Sequence, residues 1–403
     1  MTRLQVSAAT TIDSVGPERW RHVAAGLGLY LSYPWLRMIE DVQREQADIR
    51  YVLVSRDGEL LGALPTYLYA KPPADGFYDP VRQFLFPPEA SFLLPPGNAG
   101  GESERYAEWY PVLLGGSVSA FANHLVVRRR LSAELQREVV ECLVSAFLDR
   151  MRQSEARSAA FMYLFDSSVG RVRHLLPEAS LVTFLGARAR IHPPAGGFDR
   201  YIQALSGSYR HVVRKEVRRF SSSLELRRYR LGQVRNELPA LVAALQRKYG
   251  HAADEREVDR SLSLQSRHLD RHSVVLCAEA DGRIVGTSLS YDWEGVVFVR
   301  TAGFDYPALP GAYEYFNLVM YGPIRYAQEK GLQAVDLGVG ALPGKVSRGA
   351  RLTPVRCLVI PPRSLGDDLA YDLAVQAATA QSRWQEDNPF CLGDDELSGG
   401  IPL

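Results

Sequence analysis

The chain is short of cysteine, of long apolar runs and of net charge, and each shortage excludes a class of protein. Only four cysteines occur in 403 residues, at Cys142, Cys277, Cys357 and Cys391. They are far apart, with no CxxC pair and no Cys/His cluster, so neither a disulfide framework nor a zinc site is expected. No stretch approaches the roughly 18 apolar residues that a membrane-spanning helix needs. The first fifteen residues are polar and mixed, without the basic region and apolar run of a secretory signal. A cytoplasmic protein that is not integral to a membrane is the expectation. Lys and Arg number 47 against 46 Asp and Glu, a formal net charge of +1. The whole molecule is therefore no generic nucleic-acid binder, and any basic site must be local.

Several catalytic signatures are missing as well. There is no GxSxG elbow and no HExxH. Gly344-Lys345 fails the P-loop pattern because Val346 follows the lysine. His124, His192, His211, His251, His268 and His272 are scattered, without nucleophile or metal spacing. No metal is expected.

What is present is an ordinary folded composition, 46% apolar and 23% charged. At about 150 residues per domain the length suggests two or three domains. In the first half, residues 50–54 and 60–69 read as a hairpin about Asp57-Gly58. Ser132 opens an amphipathic helix to about Gln153, with Leu135, Val139, Val140, Leu143 and Phe147 on its apolar stripe. Residues 159–165 read as a buried strand. Pro193-Pro194 and Gly196-Gly197 form a plausible joint. In the second half, residues 209–222 read as a basic helix, 224–230 as a strand and 237–249 as a helix. Residues 274–279, 283–293 and 296–301 read as an antiparallel meander turning at Asp281-Gly282 and Glu294-Gly295. A long helix over 312–330, a strand over 334–337, a last strand over 356–360 and a terminal helix over 365–386 complete the pattern. The expected fold is mixed α/β: two tandem halves, each a mixed sheet flanked by helices and resembling an acetyltransferase (GNAT) domain. The divisions are 1–188, 189–365 with the site, and a terminal helix and tail over 366–403.

Three segments carry the candidate chemistry. On the basic helix, Arg210, Arg214 and Arg218 recur every four residues, and Lys215 and Arg219 extend that face. Val213, Val217 and Phe220 form the apolar stripe. Like charges four apart repel by a few tenths of a kcal/mol, so their clustering points to an anionic partner such as phosphate; a solvated basic face is the plain alternative. The second segment, 303–311, precedes the long helix. A Gly-rich loop there would hold a coenzyme A pyrophosphate on a helix N-terminus, but only Gly311 is available near the helix start. The third is Gly338–Gly349, where glycines after a buried strand let a ligand approach the backbone. Lys345 and Arg348 then meet an oxyanion or a phosphate, with no acidic residue between Asp336 and the end of the loop at Gly349 to neutralise them.

These segments resemble the FemAB-like N-acyltransferases, relatives of the peptidoglycan-bridge aminoacyltransferases. Ser32-Tyr33-Pro34-Trp35-Leu36 is similar to their S-x-P-F-L helix start, and Gly62 to Leu68 to their A-x-x-P-L-Y strand. Phe198, Leu205, Ser206, Arg210, Arg214, Glu216, Arg218 and Arg219 match their F-D-x-F-L-x-x-L-S-x-x-x-R-x-x-x-R-x-E-x-R-R block. Lys345, Arg348 and Gly349 match their K-x-x-R-G loop. The resemblance spans residues 30–360 and implies two GNAT-like domains. It departs at Ala350, where relatives often carry Phe or Tyr, and at Asn317, where an acid is common.

The resemblance implies an N-acyltransferase that passes an aminoacyl group from aminoacyl-tRNA to an amine of a small molecule or of a cell-wall or natural-product precursor. Lys345 and Arg348 would stabilise the oxyanion. Arg210, Arg214, Lys215, Arg218 and Arg219 would hold the polyanion, and Asp292, Glu314, Tyr315 and Asn317 are polar candidates for binding substrate. No bound cofactor is expected beyond the tRNA co-substrate. An acyl-CoA donor and a non-catalytic anion-binding module are the competing readings.

Overall fold

The computed structural model describes residues 3–73, 78–85, 107–118, 121–251 and 253–364, and positions 375, 378, 379, 381, 382, 384 and 386. Cys391, most of the segment 71–101 and most of the expected terminal helix lie outside these residues. The described residues up to Ala187, and those from Pro354 on, form one compact unit; Arg188–Thr353 form the other. Residues 354–364 thus leave the half in which their sequence position puts them.

In the first unit, β1 (Gln5–Ala9), β2 (Ala47–Arg56), β3 (Glu59–Tyr69), β4 (Val112–Gly115) and β6 (Ser158–Leu164) lie in that order, and β5 (Val126–Val127) pairs with β3. β4 and β6 are parallel; the other pairings among these strands are antiparallel. Helix α1 (Tyr33–Gln43) starts at Ser32, whose hydroxyl accepts from the Trp35 amide. Helix α2 (Ala133–Gln153) starts at Ser132, which caps the Leu135 amide in the same way. Such a cap satisfies one of the helix's orphan donors. Val139, Val140, Leu143 and Phe147 on α2 pack with Leu64, Leu113 and Phe161 of the sheet. Gly62 permits the approach, because a Cβ there would stand 2.3 Å from Val139.

The second unit orders its strands β7 (Leu181–Ile191), β12 (Ala334–Asp336), β11 (Val296–Phe304), β10 (Arg283–Trp293), β9 (Ser273–Ala280) and β8 (Glu225–Tyr229). β11 and β12 are parallel, and the remaining pairs are antiparallel. β7 and β13 (Arg351–Ile360) are each divided between the units, at Ala187/Arg188 and at Thr353/Pro354. The fold class itself is the expected one, mixed α/β with mixed strands flanked by helices.

Helices cover both faces of the second unit's strands. Side chains alternate along a strand, and Gly303 faces helix α5 (Leu238–Lys248) while Gly286 faces Leu318 of the long helix α7 (residues 314–330). Helix α6 (Glu255–Leu269) packs against α5. A Cβ at Gly303 would lie 2.5 Å from the backbone of Leu241 and of Val242. Backbone cannot swing aside as a flexible side chain can, so Gly303→Ala is expected to push α5 off the sheet. Overpacking of this kind costs about 1–3 kcal/mol; a thermal melt should fall by several degrees. No helix among the described residues is long and apolar enough to cross a membrane.

β11 and β12 pair only from Val296↔Ala334 to Phe298↔Asp336. β12 then ends, while β11 continues to Phe304. Leu289 faces Thr301 and Ser290 faces Val299, so Arg300 is an extra residue in β11, opposite no partner in β10. A bulge bends its strand and is common beside active sites. The two parallel strands therefore part at the end of β12, where the third candidate segment begins.

Candidate active site

Beyond β12 the chain turns at Gly338, whose φ is +70°. It does not continue as the open glycine loop that the sequence suggests. A short helix, α8 (Leu342–Val346), forms instead, entered through Ala341 in a left-handed conformation. Tyr313, directly before α7, is left-handed as well. Such conformations are costly for residues other than glycine and cluster at functional sites.

α8 carries Lys345 inward. The side chain is 3% exposed, and its ammonium donates to the Leu337 carbonyl oxygen at the end of β12. No carboxylate pairs with it among the described residues. Burial disfavours the charged form and lowers its pKa to about 7. A lysine in that state exchanges protons at neutral pH.

Arg348 is turned inward too, at 6% exposed. Its guanidinium donates to Glu216 at 2.6 and 3.3 Å, to the Tyr321 hydroxyl at 2.7 Å and to the Gly344 carbonyl oxygen at 2.9 Å. The Phe316 ring lies 3.5 Å from it, face on. The loop itself holds no acid between Asp336 and Gly349, yet Arg348 is paired with Glu216. The neutralising carboxylate comes from the basic helix, not from the loop. Arg348 is consequently a group that holds structure, and Lys345 is the cation left unpaired.

Glu216, named in the sequence only as part of the resemblance block and not among the candidate site residues, joins this cluster. It sits on helix α4 (Gly207–Ser221), which follows helix α3 (Phe198–Ala204), and it is 3% exposed. A signal for it exists: a carboxylate three residues after Val213 and four before Phe220 shares their buried face. Val217, expected on that face, is only half-buried.

The opposite face of α4 holds Arg210, Arg214, Lys215, Arg218 and Arg219. All five are exposed, and none forms an ion pair among the described residues. Lys215, Arg218, Arg219 and Ser222 line a cleft of about 540 Å³ together with Gly311 and Tyr313. The cleft thus joins the last turns of the basic helix to the loop that starts α7. A helix N-terminus favours anions through its free N–H groups and its dipole, and three unpaired cations face it here.

The other candidates are spread out. Glu314 is buried and accepts from the Ala312 amide at 2.7 Å, closing the start of its own helix. Asn317 donates to the Tyr313 carbonyl at 3.0 Å and to the Glu216 carbonyl at 3.4 Å, so it fastens α7 to α4. Tyr315 meets Phe316 edge to face with ring centres 5.4 Å apart; burial and nearby Tyr249 push its phenol up to about 12. Asp292 accepts from Tyr326 at 2.9 Å. Tyr326 lies twelve residues after Glu314, roughly 18 Å further along a helix, and so Asp292 is not brought to this site.

The acetyltransferase (GNAT) domain family matches residues 207–345, the stretch from the start of α4 to Lys345. Among solved structures, FemX superposes with a TM-score of 0.56 at 11% identity, over 88% of this chain and 96% of its own. Residues 207–345 match an acetyltransferase (GNAT) domain, and the chain as a whole has a FemX-like fold. A conserved protein of unknown function from Bacteroides thetaiotaomicron matches with a TM-score of 0.52 at 10% identity, over 89% of this chain and 99% of that one. A tandem GNAT protein from the clavulanic acid biosynthesis pathway gives 0.46 at 11% identity, over 89% and 98%. No curated protein matches the chain in sequence. The family match ends on Lys345, so both the cleft and the unpaired lysine fall within the matched stretch.

Proposed function

We propose that this N-acyltransferase takes its acyl group from aminoacyl-tRNA and passes it to the amine of a small molecule or biosynthetic precursor. The observation that carries the proposal is the row of five exposed cations on α4 without acidic partners among the described residues. From Arg210 to Arg219 the row runs nine residues, roughly 14 Å of helix. A nucleic-acid strand in a duplex carries one charge per about 3.4 Å, so the row suits several successive phosphates. A lone pyrophosphate would need only the cleft end. The Gly-rich loop expected for coenzyme A is also missing before α7, which supports an RNA-borne donor over a CoA-borne one.

In this reading the carrier's end lies along α4 with its ester directed toward the end of β12. The acceptor amine must be neutral to attack. Lys345 in its free-amine form takes the proton that the amine loses. The C–N bond forms, the ester C–O bond breaks, and Lys345 returns the proton to the departing hydroxyl oxygen. Holding both substrates supplies a large part of the rate, with effective molarities of about 10⁵ M or more in favourable cases.

The test is donor exchange. Labelled aminoacyl-tRNA and acyl-CoA are each incubated with the protein and a panel of small amines, and amine-dependent release of the label is followed. Release from the tRNA alone agrees with the proposal. Release from acyl-CoA alone selects the rival donor, and no release from either selects a binding module.

Arg218→Glu is expected to leave the fold intact, because the side chain is exposed. It should weaken binding of the charged tRNA by about tenfold or more. With one fewer cation on the phosphates, fewer counterions are released on binding. The dependence of log affinity on log salt should therefore flatten by roughly one unit. A fluorescence titration at several salt concentrations reads both effects.

A further inference from the structure

We propose that Glu216 is a positioning residue, the joint through which the cleft-lining helix fixes the place of Lys345. The proposal rests on the reading of Lys345 as the proton acceptor. Glu216 is linked to the turn that carries Lys345 through Arg348. Its sequence neighbour Lys215 and the nearby Arg218 face the cleft, while its own side chain is buried on the other side of α4.

Every polar atom of Glu216 that could fasten another element does so. One carboxylate oxygen accepts from Arg348 at 2.6 Å; the other accepts from Arg348 at 3.3 Å and from the Tyr321 hydroxyl. Its backbone carbonyl accepts from Asn317 at 3.4 Å. One residue of α4 is thereby tied to α7 twice and to the segment after α8.

The far end of the same arginine reaches Lys345. Arg348 donates through its side chain to the Gly344 carbonyl at 2.9 Å and through its backbone amide to the Lys345 carbonyl at 3.1 Å. The Tyr201 hydroxyl holds the Arg348 carbonyl at 2.7 Å. Phe316 closes the guanidinium from one face at 3.5 Å. The turn that carries Lys345 is therefore clamped, and its clamp ends on the helix that lines the cleft. A donor seated on Lys215 and Arg218 meets a lysine whose register along the site is already set. The charged and titratable groups at this joint are Glu216, Arg348, Tyr321 and Tyr201. Burial pushes both phenols well up, so neither ionises near neutral pH. Among the described residues, the hydrogen bond of the Lys345 ammonium goes to the Leu337 carbonyl oxygen.

A purely structural Glu216 would change stability and leave the protonation of Lys345 alone, and this separates the two roles. The measurement is the pH titration of Lys345 followed by NMR on protein carrying isotope-labelled lysine, assigned with Lys345→Met, with a thermal melt beside it. Wild type is expected to show a midpoint at about 7. Glu216→Gln releases Arg348, opens the turn to water and should raise the midpoint by about one unit or more, since solvation restores the charged form. His211→Ala, exposed on the same helix, should leave it in place. If Glu216→Gln fails to fold, Tyr321→Phe, which keeps the ion pair, should shift the midpoint in the same direction by about 0.3 unit. A midpoint that stays at about 7 in the folded variants overturns the joint and leaves the Lys345 reading intact. A wild-type midpoint at the ordinary lysine value overturns both.

Discussion

Lys345→Met is expected to lower turnover by about 10²–10⁴, the usual contribution of a positioned acid or base, while the protein stays folded. Methionine keeps the length and apolar stem of lysine and removes only the ammonium. In the wild type, the apparent second-order rate should rise with pH through about 7 and then level off, because the working form is the free amine. The variant should lose that rising limb.

The same residue should leave a mark on stability. Its folded-state pKa is about 7, below the ordinary value of 10.5. Between those values the unfolded chain binds more protons, so stability rises with pH across that window. Stated from the other side, the favourable contribution is complete above about 10.5 and is lost as pH falls through about 7. Lys345→Met should flatten this dependence and leave the protein no less stable at neutral pH. Melts taken across the window read it directly. A steep fall in stability at every pH would mean that the lysine is a structural strut.

Arg348→Ala should behave in the opposite way, with a large loss of stability. Removing the guanidinium leaves Glu216 buried without its ion partner. Breaking a buried pair in this manner costs about 3–5 kcal/mol, a fall in melting temperature on the order of 10 °C. Replacing both members with apolar residues, Glu216→Leu with Arg348→Met, should recover much of the loss, because no buried charge is then stranded. The double variant is the control that separates a stranded carboxylate from lost packing. Equal melts for Arg348→Ala and wild type would show that the pair contributes nothing.

Much of the second unit is legible in the sequence because its signals are local. Asp281-Gly282 and Glu294-Gly295 mark two hairpins, and all four residues do take positive φ. The basic helix and the start of α2 at Ser132 follow from spacing and capping alone. Helix α6 escapes because its buried residues are Val258, Leu262, Gln265 and Leu269. That stripe is narrow and is interrupted by a polar side chain, which weakens the periodicity. β13 runs from Arg351, not from Arg356 as the sequence suggests, since Pro354 argues against a strand.

The site is only half legible, for a different reason. Lys345 and the five exposed cations stand out by residue type. The ion pair does not, because Glu216 and Arg348 stand 132 residues apart and nothing local joins them. Two unpaired cations in a glycine loop is the natural reading until the fold supplies the acid. Asp292 shows the converse error. It belongs to the right unit, but Tyr326 holds it near the far end of α7.

The central claim is acyl transfer at Lys345 from a donor held on α4, and single-turnover release of a labelled amino acid from charged tRNA tests it most directly. Wild type, Lys345→Met and the cleft variant Lys215→Glu/Arg218→Glu are compared, each with and without an amine pool. The account predicts fast, amine-dependent release by wild type. Lys345→Met should bind the tRNA normally and release slowly, and the cleft variant should fail at binding. Release that is equally fast in all three proteins, or that does not depend on the amine, would contradict it.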